Sequence, residues 1–192
     1  MCNLGCDIDL WHEIGINIVK NIDYHHPDTA ISVWPGKPHE LDQWMGTGLI
    51  DAAITQRPTN HENQSIHQLL DEALILVSTR PNSPSRFDPG YIYVDFGEEF
   101  GRHHTAAYSD AGIARVSFGC SAWALDFLLK RGGSAYLPES SVKPLLTAGT
   151  LHLVSDAPMF SRTTYLVTDN TASSGWPWLK EISKWLEVLQ SL

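Results

Sequence analysis

The sequence predicts an α/β protein in which helices cover the faces of a parallel sheet. Residues 2–6 form a short β-rich run, residues 10–22 repeat apolar side chains at helical spacing, and residues 30–34 form a second β-rich run. Residues 38–45 predict a short helix, and residues 49–54 predict a buried strand. This β-α-β-α-β order favours parallel pairing, because parallel strands need a crossover connection that is usually helical.

Capping and helix-breaking residues set the limits of these first elements. Asp7 or Asp9 can cap the first helix through a side-chain oxygen. His26 precedes Pro27, and the residue before proline leaves the α conformation, so the helix should end there. Pro38 suits the first turn of the second helix, where its missing N–H costs nothing.

The rest of the chain continues the alternation of strands and helices. Residues 80–85 predict an irregular loop between two such series. We expect strands at residues 66–70, 73–79, 91–94, 115–118, 135–137, 151–154 and 163–168, and helices at residues 98–108, 123–130 and 140–146. A last helix should place Trp178, Ile182, Trp185, Leu186 and Leu189 on one face.

Composition and charge exclude several classes of function. The 192 residues are 43% hydrophobic, and 13 basic against 22 acidic residues give a net charge of −9. Such a chain lacks the basic face that neutralises phosphates, so we expect no direct binding of nucleic acid. No apolar run approaches the length of a membrane span, and no export signal precedes the first strand, so we expect no membrane partner.

Cysteine usage points to a reducing compartment and therefore to the cytoplasm. Cys2, Cys6 and Cys120 are odd in number, so a disulfide framework is not expected. Cys2 and Cys6 leave two interpretations open, either thiols around a buried strand or part of a structural zinc site. No second pair follows to supply the four ligands that tetrahedral zinc prefers.

Several motifs occur in order along the chain. They are the helix that ends at Pro27, GLIDAAI at residues 48–54, EALILV at residues 72–77, GGSAYLP at residues 132–138, and GTL at residues 149–151. In this order and spacing the motifs resemble the effector-binding domain of LysR-type bacterial transcription regulators, and the resemblance covers nearly the whole chain.

The resemblance implies a fold of two Rossmann-like α/β lobes joined by two crossing strands, as in type 2 periplasmic binding proteins. Lobe I would comprise residues 1–78 and 166–192, and lobe II residues 79–165. The cleft between the lobes would bind a small-molecule effector, because ligands of open α/β sheets bind at the carboxyl ends of the strands. The winged helix-turn-helix of the family is not in this sequence, so DNA contact would belong to another part of the regulator.

Acidic residues follow the first strand, where the resemblance places part of the effector site. The loop at residues 6–11 should face the cleft with Asp7, Asp9 and Trp11. Two carboxylates there oppose an anionic ligand and favour a cation, an amine or a neutral aromatic compound. A helix cap is the alternative role of Asp9.

The ends of four other strands supply the remaining candidates. Trp34 could stack on a ligand or simply cover the sheet edge, and Arg57 could pair with a carboxylate or stay solvated. Cys120 could serve as a redox sensor or be a small buried thiol. The ligand-binding candidates outside the first loop are Trp34, Thr55, Arg57, Phe96, Cys120 and Ser121.

Catalysis, cofactors and metals are not expected. The nucleophile elbow, the P-loop, G-x-G-x-x-G and H-E-x-x-H are all missing from the sequence. Scattered surface histidines are the favoured interpretation of the nine histidines, with a metal site as the alternative. A free-standing solute-binding protein and, less favoured, an enzyme on the same fold are the alternative functions.

The resemblance also implies self-association. Family members pair antiparallel, which here would set the helix at residues 10–22 against the partner's helix at residues 123–130. Trp11, Ile16 and Val19 offer apolar surface beyond one core face. We therefore expect an isologous homodimer, or a tetramer built from such dimers.

Overall fold

Nine strands and six α-helices account for most of the described chain, which is residues 1–182 and 184–185 of a computed structural model. The strands are β1 (Cys2–Asp7), β2 (Ile31–Gly36), β3 (Ala52–Thr55), β4 (Gln64–Ser78), β5 (Tyr91–Val94), β6 (Val116–Phe118), β7 (Ser134–Pro138), β8 (His152–Leu153) and β9 (Phe160–Asp169). The helices are α1 (Ile16–His25), α2 (Pro38–Thr47), α3 (Glu98–Ala107), α4 (Ser121–Arg131), α5 (Glu139–Thr147) and α6 (Asn170–Ser173). Irregular helical turns cover Ile8–Leu10, Trp11–Gly15 and Pro177–Lys180.

The chain divides into two compact units and passes between them twice. Unit 1 comprises Met1–Asp71 and Thr163–Leu192, and unit 2 comprises Glu72–Arg162. The first passage lies inside β4 and the second inside β9. Two α/β units joined by two strands confirm the predicted fold class.

Unit 1 contains the predicted β-α-β-α-β series. Strand β1 pairs in parallel with both β2 and β3, and β3 pairs antiparallel with β9. Helices α1 and α2 make the two crossovers, as the alternation predicted. The apolar face of α1 is buried through Ile18 and Ile22, which join Leu4 and Trp178 in one core.

The start of the first helix differs from its prediction. Instead of one regular helix over residues 10–22, a 3₁₀ turn and a π-helical turn precede α1. Gly15 explains part of this irregularity, because an added Cβ would lie 2.8 Å from Cys6 Sγ and 2.9 Å from Trp11 Cε3. The backbone at Gly15 therefore lies so close to β1 that a side chain at this position would clash with Cys6.

Unit 2 is built around one part of the nine-stranded sheet, with helices beside it. The order of strands is β4-β7-β5-β6, with β8 also paired to β4. Strand β5 is parallel to β6 and β7, whereas β4 and β7 are antiparallel. The core contains Phe100 of α3, Leu128 of α4 and Tyr136 of β7, and the last two are fully buried.

Strand β4 corrects the prediction of two separate strands at residues 66–70 and 73–79. It is a single strand of 15 residues. The break was expected because Asp71 and Glu72 interrupt the apolar pattern, yet both carboxylates have partners. Asp71 accepts a hydrogen bond from Thr163 Oγ1 at 2.6 Å, and Glu72 pairs with Arg162 at 2.9 Å. The acidic pair therefore costs the strand little.

The C-terminal segment begins as predicted. Pro177 is the first residue of the 3₁₀ turn Pro177–Lys180, and Trp178 and Ile182 are buried in the core of unit 1. Trp185 packs against the same core, whereas Leu186 and Leu189 lie outside the described residues. None of the described helices combines the length and apolar character that a bilayer-spanning helix requires.

Candidate functional site

The parallel strands of unit 1 end at a common edge that carries three of the predicted residues. Asp7 is the last residue of β1 and lies opposite Gly36, the last residue of β2. Thr55 follows Ile54, whose partner on β1 is Cys6. Asp7 and Thr55 therefore lie at the same level on adjacent strands, at the carboxyl edge where open sheets bind ligands.

Two acidic residues lie two positions apart at this edge, Asp7 and Asp9, and both are buried. Asp7 Oδ1 accepts a hydrogen bond from the amide of Asp9 at 3.1 Å, which caps the 3₁₀ turn Ile8–Leu10. Asp7 and Asp9 were both predicted as possible caps of the first helix, and it is Asp7 that caps this turn. Both side chains are less than a tenth exposed, so little water reaches them.

Thr55 and Arg57 form a small turn at the end of β3. The amide of Arg57 donates to Thr55 Oγ1 at 3.2 Å, while the Arg57 side chain is exposed. Both residues line a cavity of about 10 Å³ between α2 and β3, which has room for about one water molecule. This cavity of unit 1 is therefore too small for an organic ligand.

The two tryptophans predicted near the effector differ in their surroundings. Trp11 is half-buried and packs against the core of unit 1, close to Gly15. Trp34 is exposed on β2, opposite Gly5 rather than at the strand end. In the pairing of the strands, neither tryptophan lies opposite Asp7 or Thr55.

Unit 2 holds the other three predicted residues at the ends of β5 and β6. Strand β5 ends opposite the end of β6, where Val94 lies level with Phe118. Phe96 is buried, packs edge-to-face on Phe100 with centroids 5.2 Å apart, and lies 5.2 Å from the Arg162 guanidinium carbon. Its surroundings are those of a core residue that also supports a buried cation.

Cys120 and Ser121 lie at the start of α4, where the sequence predicted them. Cys120 occupies the N-cap position with extended backbone, and Ser121 is the first helical residue. Both side chains are buried. A helix N-terminus favours anions and thiolates, which suits ligand binding or redox sensing. The burial of Cys120 suits the alternative of a small structural thiol.

The two thiols on β1 have a different chemistry. Burial raises the pKa of Cys2 and of Cys6 to about 12. They lie four steps apart along an extended strand, a distance of about 13 Å, which is far beyond the reach of a disulfide. These thiols are therefore structural, in agreement with the interpretation of two thiols around a buried strand.

The histidines are only partly as predicted. His104 is not a surface residue, because it is half-buried in an aromatic cluster and its Nε2 lies 2.8 Å from the Tyr91 hydroxyl. Burial lowers the pKa of His104 below its usual value. Its spacing of four from both Phe100 and Tyr108 on a helix is the sequence signal that would have placed it on the core face. Within residues 1–182 and 184–185, no three histidine, cysteine or acidic side chains are grouped to hold a metal ion.

A larger cavity, which the sequence did not predict, lies within unit 2. It has a volume of about 310 Å³, at the lower end of the range for ligand sites, and none of the nine predicted residues lines it. We refer to it as the unit 2 cavity. The residues that line it are Leu76, Pro84, Ser85, Arg86, Phe87, Asp88, Pro89, Tyr91, His104, Tyr108, Ala111, Gly112, Ile113, Ala114, Arg115 and Ser134.

Comparisons with known proteins identify the fold. No protein-family model and no curated protein sequence matches the chain. Among solved structures, the regulatory domain of HypT from Salmonella typhimurium is 15% identical, with a TM-score of 0.75 over 99% of this chain and 95% of that one. The reduced regulatory domain of OxyR2 from Vibrio vulnificus is 13% identical, with a TM-score of 0.72 over 98% of this chain and 94% of that one.

The full-length structure of HypT extends the comparison. That protein is described as a hypochlorite-specific LysR-type transcriptional regulator, and it is 14% identical with a TM-score of 0.77. The match covers 94% of this chain and 67% of HypT. These likenesses agree with the motifs at residues 48–54, 72–77 and 132–138. The chain therefore has the fold of the regulatory domains of LysR-type transcriptional regulators.

Proposed function

We propose that this chain is the small-molecule-sensing regulatory domain of a LysR-type transcription regulator and that it binds an effector without transforming it. The observation that carries this proposal is the fold, which matches such regulatory domains over nearly the whole chain. The negative net charge of −9 supports assigning DNA contact to another part of the regulator. The cytoplasmic location stays a prediction.

The effector residues that we propose in unit 1 are those at the carboxyl edge of its parallel strands. Asp7 and Asp9 are buried carboxylates, and the Thr55 hydroxyl stands on the adjacent strand. A negative charge attracts a cationic group and repels a carboxylate. This edge therefore favours an amine or another cationic compound. The predicted contributions of Trp11, Trp34, Arg57, Phe96, Cys120 and Ser121, and the predicted effector cleft, stay predictions.

Ligand screening by thermal shift tests the proposal. A compound that binds the folded state raises the melting temperature by mass action, by an amount that grows with its concentration. The library should contain amines, amino acids, aromatic acids and divalent metal ions. We expect stabilisation by at least one small-molecule class, amines among them, and failure of every class to stabilise the chain would contradict sensing by this domain.

Two matched variants then test the assignment to unit 1. Asp9→Asn removes the buried charge with little change in shape, and Asp23→Asn makes the same change at an exposed position of α1. For an amine that stabilises the chain, we expect the shift to be lost in Asp9→Asn and kept in Asp23→Asn. An unchanged shift in both variants would overturn the role of Asp9 while leaving the sensing proposal in place.

We also propose that the domain forms a homodimer through α1 and α4. Trp123 on α4 is 70% exposed, and Ile16 on α1 and Leu129 on α4 are exposed as well. Exposed tryptophan is common where one protein surface meets another. In an isologous dimer one substitution changes the interface twice, so Trp123→Ser should produce a monomer.

Light scattering during size-exclusion chromatography measures this assembly. Met159→Ser is the control, because Met159 is equally exposed but lies on neither helix. We expect a dimer for the unaltered chain and for Met159→Ser. A monomer for the unaltered chain at high concentration would contradict the dimer and favour the alternative of a free-standing solute-binding protein.

A further inference from the structure

One wall of the unit 2 cavity is a group of aromatic rings around His104. The Tyr91 and His104 rings are nearly parallel, with centroids 5.8 Å apart and an angle of 11° between the planes. Tyr108 also lies beside His104, with ring centroids 4.9 Å apart. All three line the cavity and supply apolar ring surface to it. Their polar tips are already bonded, since the Tyr91 hydroxyl lies 2.8 Å from His104 Nε2 and the Tyr108 hydroxyl 2.6 Å from that of Tyr136, and the Arg86 guanidinium carbon lies 5.2 Å from the Tyr108 ring.

Another part of the lining is a loop that is fixed by hydrogen bonds. Asp88 Oδ1 accepts from the amide of Gly90 at 2.8 Å and from Arg80 Nη2 at 2.9 Å, and Asp88 Oδ2 accepts from Ser134 Oγ at 2.7 Å. These bonds tie the loop to β7 and lower the pKa of Asp88 despite its burial. The cavity is therefore held open by structure already in place, which reduces the entropy that a ligand would lose on binding.

Two apolar side chains at the mouth face solvent. Phe87 is 66% exposed and adopts a φ of +57°, in the left-handed region that is unusual for a bulky residue. Ile113, from the loop before β6, is 100% exposed. Both line the cavity, so a ligand that filled it would remove apolar surface from water at the mouth as well as inside.

The charges of the lining favour an anion. Arg86 is already engaged, because it donates to Asp110 at 2.6 Å and to the Ala107 carbonyl at 2.7 Å. The negative charge of Asp88 is balanced by its ion pair with Arg80 at 2.9 Å. Arg115 is exposed at the rim, and no ion pair or hydrogen bond joins its side chain to the part of the chain that the structure describes. The cavity thus presents an available guanidinium in a protein of net charge −9.

We propose that the unit 2 cavity binds a small planar aromatic carboxylate, with its ring against the wall formed by Tyr91, His104 and Tyr108 and its carboxylate on Arg115. The ring fits the flat apolar lining, and a guanidinium pairs with a carboxylate through two parallel hydrogen bonds. This site goes beyond the proposed effector residues of unit 1, which favour the opposite charge.

Binding of 2-naphthoate to the chain, measured by isothermal titration calorimetry, tests this proposal, with 2-naphthamide as the uncharged counterpart. We expect saturable one-to-one binding of the acid with a dissociation constant below about 1 mM. The amide should bind more weakly, because it cannot form a charge-assisted pair with Arg115. No binding of either compound would overturn the proposal.

Two variants locate the site. Gly112 lines the cavity, and an added Cβ there meets nothing within 4 Å, so Gly112→Phe should fill the mouth without strain. We expect this variant to weaken binding of 2-naphthoate by about tenfold or more. Arg115→Gln should weaken the acid by at most about fivefold and leave the amide unchanged, since the pair is exposed.

The controls repeat each change outside the cavity. Gly46→Phe introduces the same side chain at an equally open glycine of α2, and Arg102→Gln removes an exposed arginine of α3 that does not line the cavity. Both should bind 2-naphthoate like the unaltered chain. Binding that survives Gly112→Phe would overturn the proposal. Asp9→Asn should not alter binding of 2-naphthoate. The effector assignment in unit 1 is tested with amines and this proposal with 2-naphthoate, so either one can fail without the other.

Discussion

Arg162 donates two hydrogen bonds to one oxygen of Glu72, from Nη2 at 2.9 Å and from Nε at 3.3 Å, and both side chains are only 5% exposed. Glu72 is the first residue of unit 2 and Arg162 is its last. Ser140 donates to the other carboxylate oxygen, and Phe96 lies 5.2 Å from the guanidinium carbon. The two strands that enter and leave unit 2 are therefore joined by a buried ion pair.

Breaking this ion pair should destabilise the fold strongly. In Arg162→Met the Glu72 carboxylate would stay buried without its cation, which typically costs about 3–5 kcal/mol of unfolding free energy. The double variant Glu72→Met with Arg162→Met should recover much of this loss, because no charge is left in the interior. Urea denaturation measures both effects, and a double variant that is no more stable than Arg162→Met would contradict this explanation.

The stability of the chain should decrease in mildly acidic solution because of His104. Burial lowers its pKa in the folded state, so below the ordinary value of 6.5 the unfolded chain binds more protons at this residue. The contribution of His104 is therefore complete above pH 6.5 and is lost as the pH falls through the lower pKa of the folded state.

Urea midpoints measured across the acidic and neutral range test this pH dependence. The variant His104→Gln should lose stability less steeply on acidification than the unaltered chain. His103→Gln, at an exposed position of the same helix, should follow the unaltered chain. Equal pH dependence in all three proteins would contradict the role of His104.

The cysteines of β1 should be inert while the chain is folded. Only the thiolate reacts with disulfide reagents, and a pKa of about 12 leaves almost none at pH 8. In Cys120→Ser, which retains Cys2 and Cys6, we expect no rapid reaction with 5,5′-dithiobis(2-nitrobenzoate) until urea opens the fold. Rapid modification of two thiols in native buffer would disprove the burial of this strand.

Gly133 should tolerate no side chain. Its φ is +127°, and an added Cβ would overlap the carbonyl oxygen of Gly90, which belongs to the backbone and cannot rotate away. We expect Gly133→Ala to cost about 3 kcal/mol or more in unfolding free energy. Gly46→Ala, at an open position of α2, should instead stabilise the chain by up to about 1 kcal/mol. Thermal melts of the two variants should therefore shift in opposite directions.

Much of the fold follows from local sequence patterns. The periodic segments around β1, α2, β5 and α4 are observed within about two residues of their predicted limits, because apolar spacing and proline or glycine positions act locally. Strand β4 was predicted as two strands because Asp71 and Glu72 look unfavourable in the sequence. Their partners Thr163 and Arg162 lie about ninety positions away along the chain.

The candidate sites show the same division. Asp7 and Thr55 lie at the same level because their strands are parallel, and this could be predicted from the sequence. The unit 2 cavity could not be predicted, because two loops, one helix and three strands each contribute part of its lining. His104 is an example, since its partner Tyr91 lies on a different element.

The sequence by itself determined the α/β class, the order of elements and the resemblance to LysR-type effector-binding domains, since all three depend on spacing along the chain. Only the tertiary structure decided which polar groups are buried and paired, such as Glu72 with Arg162 and Asp88 with Ser134. It alone formed the unit 2 cavity beside His104. Burial and pairing depend on distances between residues that are remote in sequence, and the chain specifies those distances only through the packing of the whole fold.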